Sequence, residues 1–122
     1  MHHAIPQTRL LQSFSKEALW TERKSWVFKP TNGYASRGVY VGSKLTKTKY
    51  KLFELDNTLV QQHIKPSQTV SVDGKRFKTD FRLFVYRNKI LAVSARLYQG
   101  QVTNLRTPEG GFSKVKIQNV LV

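Results

Sequence analysis

Thr79–Leu97 reads TDFRLFVYRNKILAVSARL, and its alternation decides the fold. Successive side chains of a strand point to opposite faces. Phe81, Leu83 and Val85 therefore share one face of the first run, and Asp80, Arg82, Phe84 and Tyr86 share the other. In the second run Leu91, Val93 and Ala95 lie together, opposite Ile90, Ala92, Ser94 and Arg96. The two runs form an antiparallel hairpin. Joining apolar face to apolar face requires an odd loop, most simply Arg87-Asn88-Lys89; a one-residue slip would drive Ser94 and Arg96 into the core. In this register Asp80 stands opposite Arg96 and Arg82 opposite Ser94. Such a group is ordinarily a cross-strand ion pair with a neighbour. Two arginines against one aspartate nevertheless leave a positive surplus suited to an anion.

Upstream, Val70–Val72, Asp73-Gly74 and Lys75–Phe77 carry a second hairpin signal. Leu59–Ile64, LVQQHI, reads as a strand ended by Pro66. Gln61 and Gln62 point to opposite faces, and whichever turns inward needs a partner, because an unsatisfied buried amide costs about 1–3 kcal/mol. A purine edge or a neighbouring backbone would serve. His63 has no cysteine or acid near it, which argues against a metal role.

Trp26–Gly42, WVFKPTNGYASRGVYVG, reads as two short strands, Trp26–Lys29 and Val39–Val41, with Gly42 as the stop. The loop between them holds Pro30, Asn32, Gly33, Ser36, Arg37 and Gly38, more than a tight turn needs. Glycines let backbone N–H groups approach an anion, while Lys29 and Arg37 supply charge, so the segment suits a phosphate cover. It matches neither the dinucleotide fingerprint nor the P-loop, and most loops of this composition bind nothing.

Ser15 followed by Lys16–Trp20 predicts a short N-capped helix. Leu45–Leu55 has helical apolar spacing through Leu45, Tyr50 and Phe53, surrounded by Lys44, Lys47, Lys49 and Lys51. It reads as a surface helix whose lysine stems cover apolar area, with phosphate contact as the alternative. Residues 1–10 read as a loose N-terminal tail, and the adjacent His2 and His3 as a plain tail or tag remnant. From Tyr98 to Val115, Asn104, Arg106, Pro108, Gly110 and Gly111 mark an irregular loop, and Ile117–Val122 is expected to supply a last strand.

The 122 residues suit one domain, residues 11–122, and 39% hydrophobic and 11% aromatic content suits a buried core. Cysteine is absent, which excludes a disulfide scaffold, a zinc-thiolate site and a thiol nucleophile. No apolar run reaches membrane-spanning length, so a soluble, cytoplasmic protein is expected. Lys and Arg number 21 against 7 acids, a formal charge of +14, which draws polyanions: nucleic acid, a nucleotide triphosphate or an acidic partner. The architecture expected is α+β, antiparallel hairpins with one or two short helices.

WVFKPTNGYASRGVYVG, LVQQHI, DFRLFVY and ARLYQGQVTNLRTPEGGFSKV, in that order, resemble the ATP-grasp superfamily, in particular its circularly permuted, glutathionylspermidine-synthase-like branch. The likeness spans roughly Leu19–Val115. It implies an ATP-grasp-like partial domain that binds ATP and Mg2+, part of a ligase in which ATP phosphorylates a carboxylate and an amine then displaces phosphate. It implies that Lys29 contacts the nucleotide phosphates under a flexible Gly33–Gly38 loop that includes Ser36 and Arg37. Gln61 and Gln62 would match the adenine-side hinge, and Arg82 and Arg96 the arginines facing the transferring phosphoryl group. Asn104, with Gly110 and Gly111, would line the pocket near magnesium, with Asp80 as a further metal ligand.

The chain departs from that pattern in having no E-x-N triplet, and the acids near the proposed site are Asp80 and Glu109. It is expected to be incomplete relative to the family, completed by a second chain or a missing half, and to lack independent catalysis. The alternatives are a basic nucleic-acid-binding module using exposed tyrosines such as Tyr34, Tyr40 and Tyr98, and a non-catalytic partner-binding remnant.

Overall fold

The computed structural model describes residues 5–118. The span expected as one domain forms two compact units, Met1–Lys65 and Pro66–Val122. Each contains a four-stranded antiparallel sheet, and the helices are few and short, which places the chain in the expected α+β class.

In the first unit Ser15 caps helix α1 (Lys16–Thr21), its hydroxyl accepting from the Ala18 N–H at 3.3 Å. Two of the sheet's strands are β2 (Trp26–Pro30) and β3 (Tyr40–Val41), paired Val27 to Val41 and Phe28 to Tyr40. The basic helix is shorter than its apolar spacing suggests. Only Lys47–Lys51 is helical (α2), capped by the Thr46 hydroxyl, with Tyr50 buried. LVQQHI contributes β4 (Thr58–Gln62), which lies along β2 with Lys29 opposite Leu59 and Val27 opposite Gln61.

The fourth strand corrects the sequence reading. Thr8–Leu10, assigned to a loose tail, is β1 and pairs with β4 from Thr8–Gln61 to Leu10–Leu59. Three mixed residues carry too little alternation to announce a strand, and the open edge of β4 holds them in place. The sheet order is β1-β4-β2-β3. His2 and His3 lie outside the described residues.

The core gathers Leu11, Leu19, Phe28, Leu45, Tyr50 and Val60, with Phe14, Trp20, Trp26, Tyr40 and Phe53 packed against it. Each fully buried large apolar side chain contributes about 1.5–3 kcal/mol. Phe28 stacks on Phe53 at 5.4 Å and meets Tyr50 edge-on at 5.6 Å. Gly42 closes this core in a way alternation does not reveal. A Cβ there would lie 1.7 Å from the Arg23 carbonyl oxygen and 2.8 Å from that of Trp26.

In the second unit the order is β5-β6-β7-β8, made of Ser67–Val70, Arg76–Tyr86, Lys89–Tyr98 and Gly111–Lys114. The Asp73-Gly74 hairpin joins β5 to β6 by a loop wider than a two-residue turn. The Ser71 N–H donates to the Lys75 carbonyl, the Gly74 N–H donates to the Ser71 carbonyl, and Gly74 takes φ +82°. β6 and β7 pair in the expected register from Asp80–Arg96 through Arg82–Ser94 to Phe84–Ala92.

There the register shifts. Val85 faces Ile90 and Tyr86 faces Lys89, leaving Leu91 as an extra residue in a β-bulge. The connection is thus a two-residue turn, Arg87-Asn88, with both residues at positive φ, in place of the three-residue loop expected. The bulge does the face-matching that the odd loop was meant to do, bringing Ile90 to the Val85 face. The last strand is Gly111–Lys114. Ile117 and Gln118, where a final strand was expected, take no regular structure, and residues 119–122 lie outside the described residues.

Candidate functional site

Lys29 lies on β2 beside buried Phe28 and so points to the sheet face opposite the core. Its ammonium donates to Oε1 of Gln61 on β4. The Gln61 amide in turn donates to the Thr8 hydroxyl at 2.9 Å. Of the two glutamines, Gln61 joins the lysine. Gln62 faces the other way, is exposed, and sits opposite Trp26. Gln61 thus lies on the face away from the core, and its amide finds its partners within the sheet, in Lys29 and in Thr8 of β1.

At the Pro30 end of β2 the chain leaves in the glycine-bearing loop. Gly33 and Gly38 both lie against the Pro30 ring, where an added Cβ on either would sit 3.1 Å from Pro30 Cγ. Gly38 takes φ +73°. Ser36 accepts the Val39 N–H through its carbonyl, and the Arg37 guanidinium donates to the Tyr34 hydroxyl at 3.0 Å.

Beside this loop is a cavity of about 240 Å³. Phe28, Tyr40 and Phe53 form its aromatic wall, and Lys29, Gly38, Lys49, Glu54, Asn57 and Thr58 its polar wall. Lys49 stands against Glu54 in this wall, while the Lys29 ammonium points to the other face of the sheet, to Gln61. The cavity's volume falls below the roughly 300–1,000 Å³ of whole small-molecule sites, so it has room for no more than part of such a ligand. Glu54 and Asn57 were not singled out in the sequence. Lys49 was read as covering apolar area, and its ammonium does lie over the Tyr40 ring, 5.0 Å from the centroid. The Asn57 amide donates to Glu54 at 3.2 Å and its carbonyl oxygen accepts from the Thr31 hydroxyl, tying the wall to the loop.

The second unit holds the arginines. Asp80 and Arg96 form the cross-strand pair expected of the register, with Arg96 Nη2 3.1 Å and Nε 3.3 Å from Asp80 Oδ2. The Thr103 hydroxyl donates to the same oxygen at 3.2 Å. Arg82 has no acid partner among the described residues. Its guanidinium lies over the Phe112 ring at 5.5 Å. Ser94, opposite Arg82, has a buried hydroxyl with no hydrogen-bond partner among the described residues. The positive surplus read from the sequence therefore resides on Arg82, beside an unsatisfied hydroxyl.

Asn104 organises its own loop. Its carbonyl oxygen accepts from the N–H groups of Arg106 and Thr107 and from the Thr107 hydroxyl, and its amide donates to the carbonyls of Gln99 and Val102. Gly110 packs its Cα against the Leu97 carbonyl, where an added Cβ would lie 2.5 Å from oxygen. Contact of Asn104 Oδ1 with a metal would have to displace hydrogen bonds already made, and Asp80 is already engaged through Oδ2 by Arg96 and Thr103. No group of three His, Cys, Asp or Glu side chains among the described residues is placed to hold a metal ion.

Two ordered sets of chemistry-bearing residues, a lysine beneath a glycine loop and an arginine-bearing hairpin followed by a glycine-rich loop, bring the chain to a class. Its sequence matches the ATP-grasp domain over residues 2–120. The chain belongs to the ATP-grasp domain family, a family of ATP-binding, ligase-type domains that typically employ Mg2+. Comparison with curated proteins and with solved structures gives no match. No helix among the described residues is long and apolar enough to cross a membrane.

Proposed function

We propose that this chain is the ATP-binding portion of a carboxylate–amine ligase of the glutathionylspermidine-synthase-like branch, acting in the cytoplasm through an acyl phosphate when complete. In that reaction a carboxylate oxygen attacks the γ-phosphorus and ADP departs. The amine then attacks the acyl carbon and inorganic phosphate departs. The observation that carries the reading is the cavity beside the glycine-bearing loop, lined by Lys49, Gly38 and residues of β2 including Lys29. Phosphate oxygens would accept from the Lys49 ammonium, from Lys29 once it leaves Gln61, and from backbone N–H groups of the Gly33–Gly38 loop, including Ser36 and Arg37. Until then Gln61 would hold Lys29 in position through the hydrogen bond described above.

The resemblance assigns Arg82 and Arg96 to the transferring phosphoryl group; of the two, Arg82 has no acid partner among the described residues, while Arg96 is held by Asp80. Catalysis of this kind rests on positioning and charge stabilisation. Magnesium, when bound, would supply neutralisation of phosphate charge, but the described residues assemble no protein cage for it, so no step is assigned to a metal ligand here. Completion by a further chain or segment, and the identity of carboxylate and amine, belong to the same proposal.

The test is calorimetric titration of Mg-ATP into the parent, Lys29→Met and Arg82→Gln. A hydrogen bond to a charged group contributes about 1.5–3 kcal/mol, so loss of either cation should weaken binding by about 10- to 150-fold. Equal affinity in the parent and both variants would remove the reading.

A further inference from the structure

β6 and β7 run for eleven and ten residues, whereas their outer neighbours β5 and β8 have four each. β5 covers β6 only over Arg76–Thr79, and β8 covers β7 only over Ser94–Leu97. Beyond Asp80 on one strand and before Ser94 on the other, no further strand among the described residues pairs with the hairpin. Its distal half is a two-stranded ribbon with both backbone edges open.

The ribbon is apolar where it is uncovered. Phe81, Leu83, Val85 and Ile90 share one face through the pairs Phe81–Ala95, Leu83–Val93 and Val85–Ile90, and all four are more than half exposed. Sequence alternation had assigned that face to a core. A lone two-stranded hairpin is marginal in water, and a long apolar edge is a template for another strand.

Charge decides what covers it. Past Asp80 the ribbon carries Arg82, Arg87 and Lys89 and no acid. A second copy would bring the same three cations and a further +14 against it, so self-pairing is opposed. A nucleic acid would find the cations and could stack on Phe81, Phe84 and Tyr86, but it would leave the aliphatic Leu83, Val85 and Ile90 and the open main-chain edge uncovered. We propose that the ribbon is a docking site for an acidic polypeptide segment, extended, with Asp or Glu alternating with aliphatic residues, that adds as a strand to the open edge of β6. Main-chain hydrogen bonds would complete the edge, aliphatic side chains would cover Leu83 and Val85, and the carboxylates would meet Arg82 and Arg87.

The probe is a fluorescein-labelled peptide of alternating Glu and Val, followed by anisotropy at near-physiological salt. A Glu/Ser peptide of equal length and charge and a single-stranded oligonucleotide serve as the other arms. The Glu/Val peptide is expected to bind the parent at least about tenfold more tightly than the Glu/Ser peptide, and to lose about tenfold in affinity to Leu83→Thr/Val85→Thr, which keeps charge and strand propensity. Hydrogen exchange on the parent, which depends on no variant folding, should show new protection along Asp80–Tyr86 with the Glu/Val peptide bound. Equal binding of the two peptides, equal binding to the double variant, protection elsewhere than the ribbon, or an oligonucleotide that alone protects it would each overturn the proposal.

Discussion

Replacing Gly42 by Ala should unfold the first unit at far lower urea than any other single-methyl change in the neighbourhood of the cavity. The new Cβ would stand 1.7 Å from the Arg23 carbonyl oxygen, 2.6 Å from its carbon and 2.8 Å from the Trp26 oxygen. All three are backbone atoms, so no side chain can swing aside. Relief needs either the Arg23–Ser25 turn or the Gly42–Lys44 turn to retreat by more than an ångström. The first leads directly into β2; the second joins β3 to buried Leu45. Overpacking costs typically about 1–3 kcal/mol, and with three backbone contacts the upper end applies. With a slope of about 1 kcal/mol per molar urea for a unit of this size, the midpoint should fall by roughly 3 M. Trp20 and Trp26, the only two tryptophans, both belong to this unit, so tryptophan fluorescence follows it alone. Gly33→Ala is the control, since its Cβ meets the Pro30 side chain at 3.1 Å and backbone only at 3.9 Å, and a change below about 0.5 kcal/mol is expected. A Gly42→Ala midpoint within about 0.5 M of the control, or roughly 0.5 kcal/mol, would refute the packing argument.

Burial, with a smaller contribution from Glu17, pushes the Tyr50 phenol up to about 12, and its hydroxyl donates to the Lys16 carbonyl at 2.9 Å. An unfolded tyrosine titrates near about 10, so this contribution is intact below that pH and is lost as pH climbs from about 10 toward 12. Urea midpoints of parent and Tyr50→Phe should therefore converge over that window; parallel curves would contradict the assignment. Ser15→Ala should cost about 1 kcal/mol by the same fluorescence assay, and no change would mean the cap is idle. In the second unit, a thermal double-mutant cycle of Asp80→Asn with Arg96→Gln should give a coupling of up to about 1 kcal/mol for this half-exposed pair. Pairing Asp80→Asn with Arg82→Gln should give none.

Alternation along Thr79–Leu97 was enough to place Asp80 opposite Arg96 and Arg82 opposite Ser94, because one slip would invert both faces. It could not place the bulge at Leu91. A two-residue turn that puts Arg87 at φ 45° and Asn88 at φ 62° lacks the glycine that usually marks such turns. The lysine and glutamine of the first sheet were legible as candidates, yet their contact was not, since it depends on how β2 and β4 pair across 32 residues. β1 was invisible for the same reason: three residues acquire a strand only when a distant edge is offered. Asn104 shows the converse. Its residue type suggested a ligand, whereas the hydrogen bonds it makes organise the loop that follows the charged strand.

Titration of ATP, AMP and a single-stranded oligonucleotide into the chain, each with magnesium and at rising salt, tests the central claim most directly. A built phosphate site predicts saturable ATP binding that exceeds AMP binding and persists at near-physiological ionic strength, while attraction of the oligonucleotide to the +14 surface fades. ATP binding that disappears with salt alongside the oligonucleotide, or that AMP matches, would contradict it.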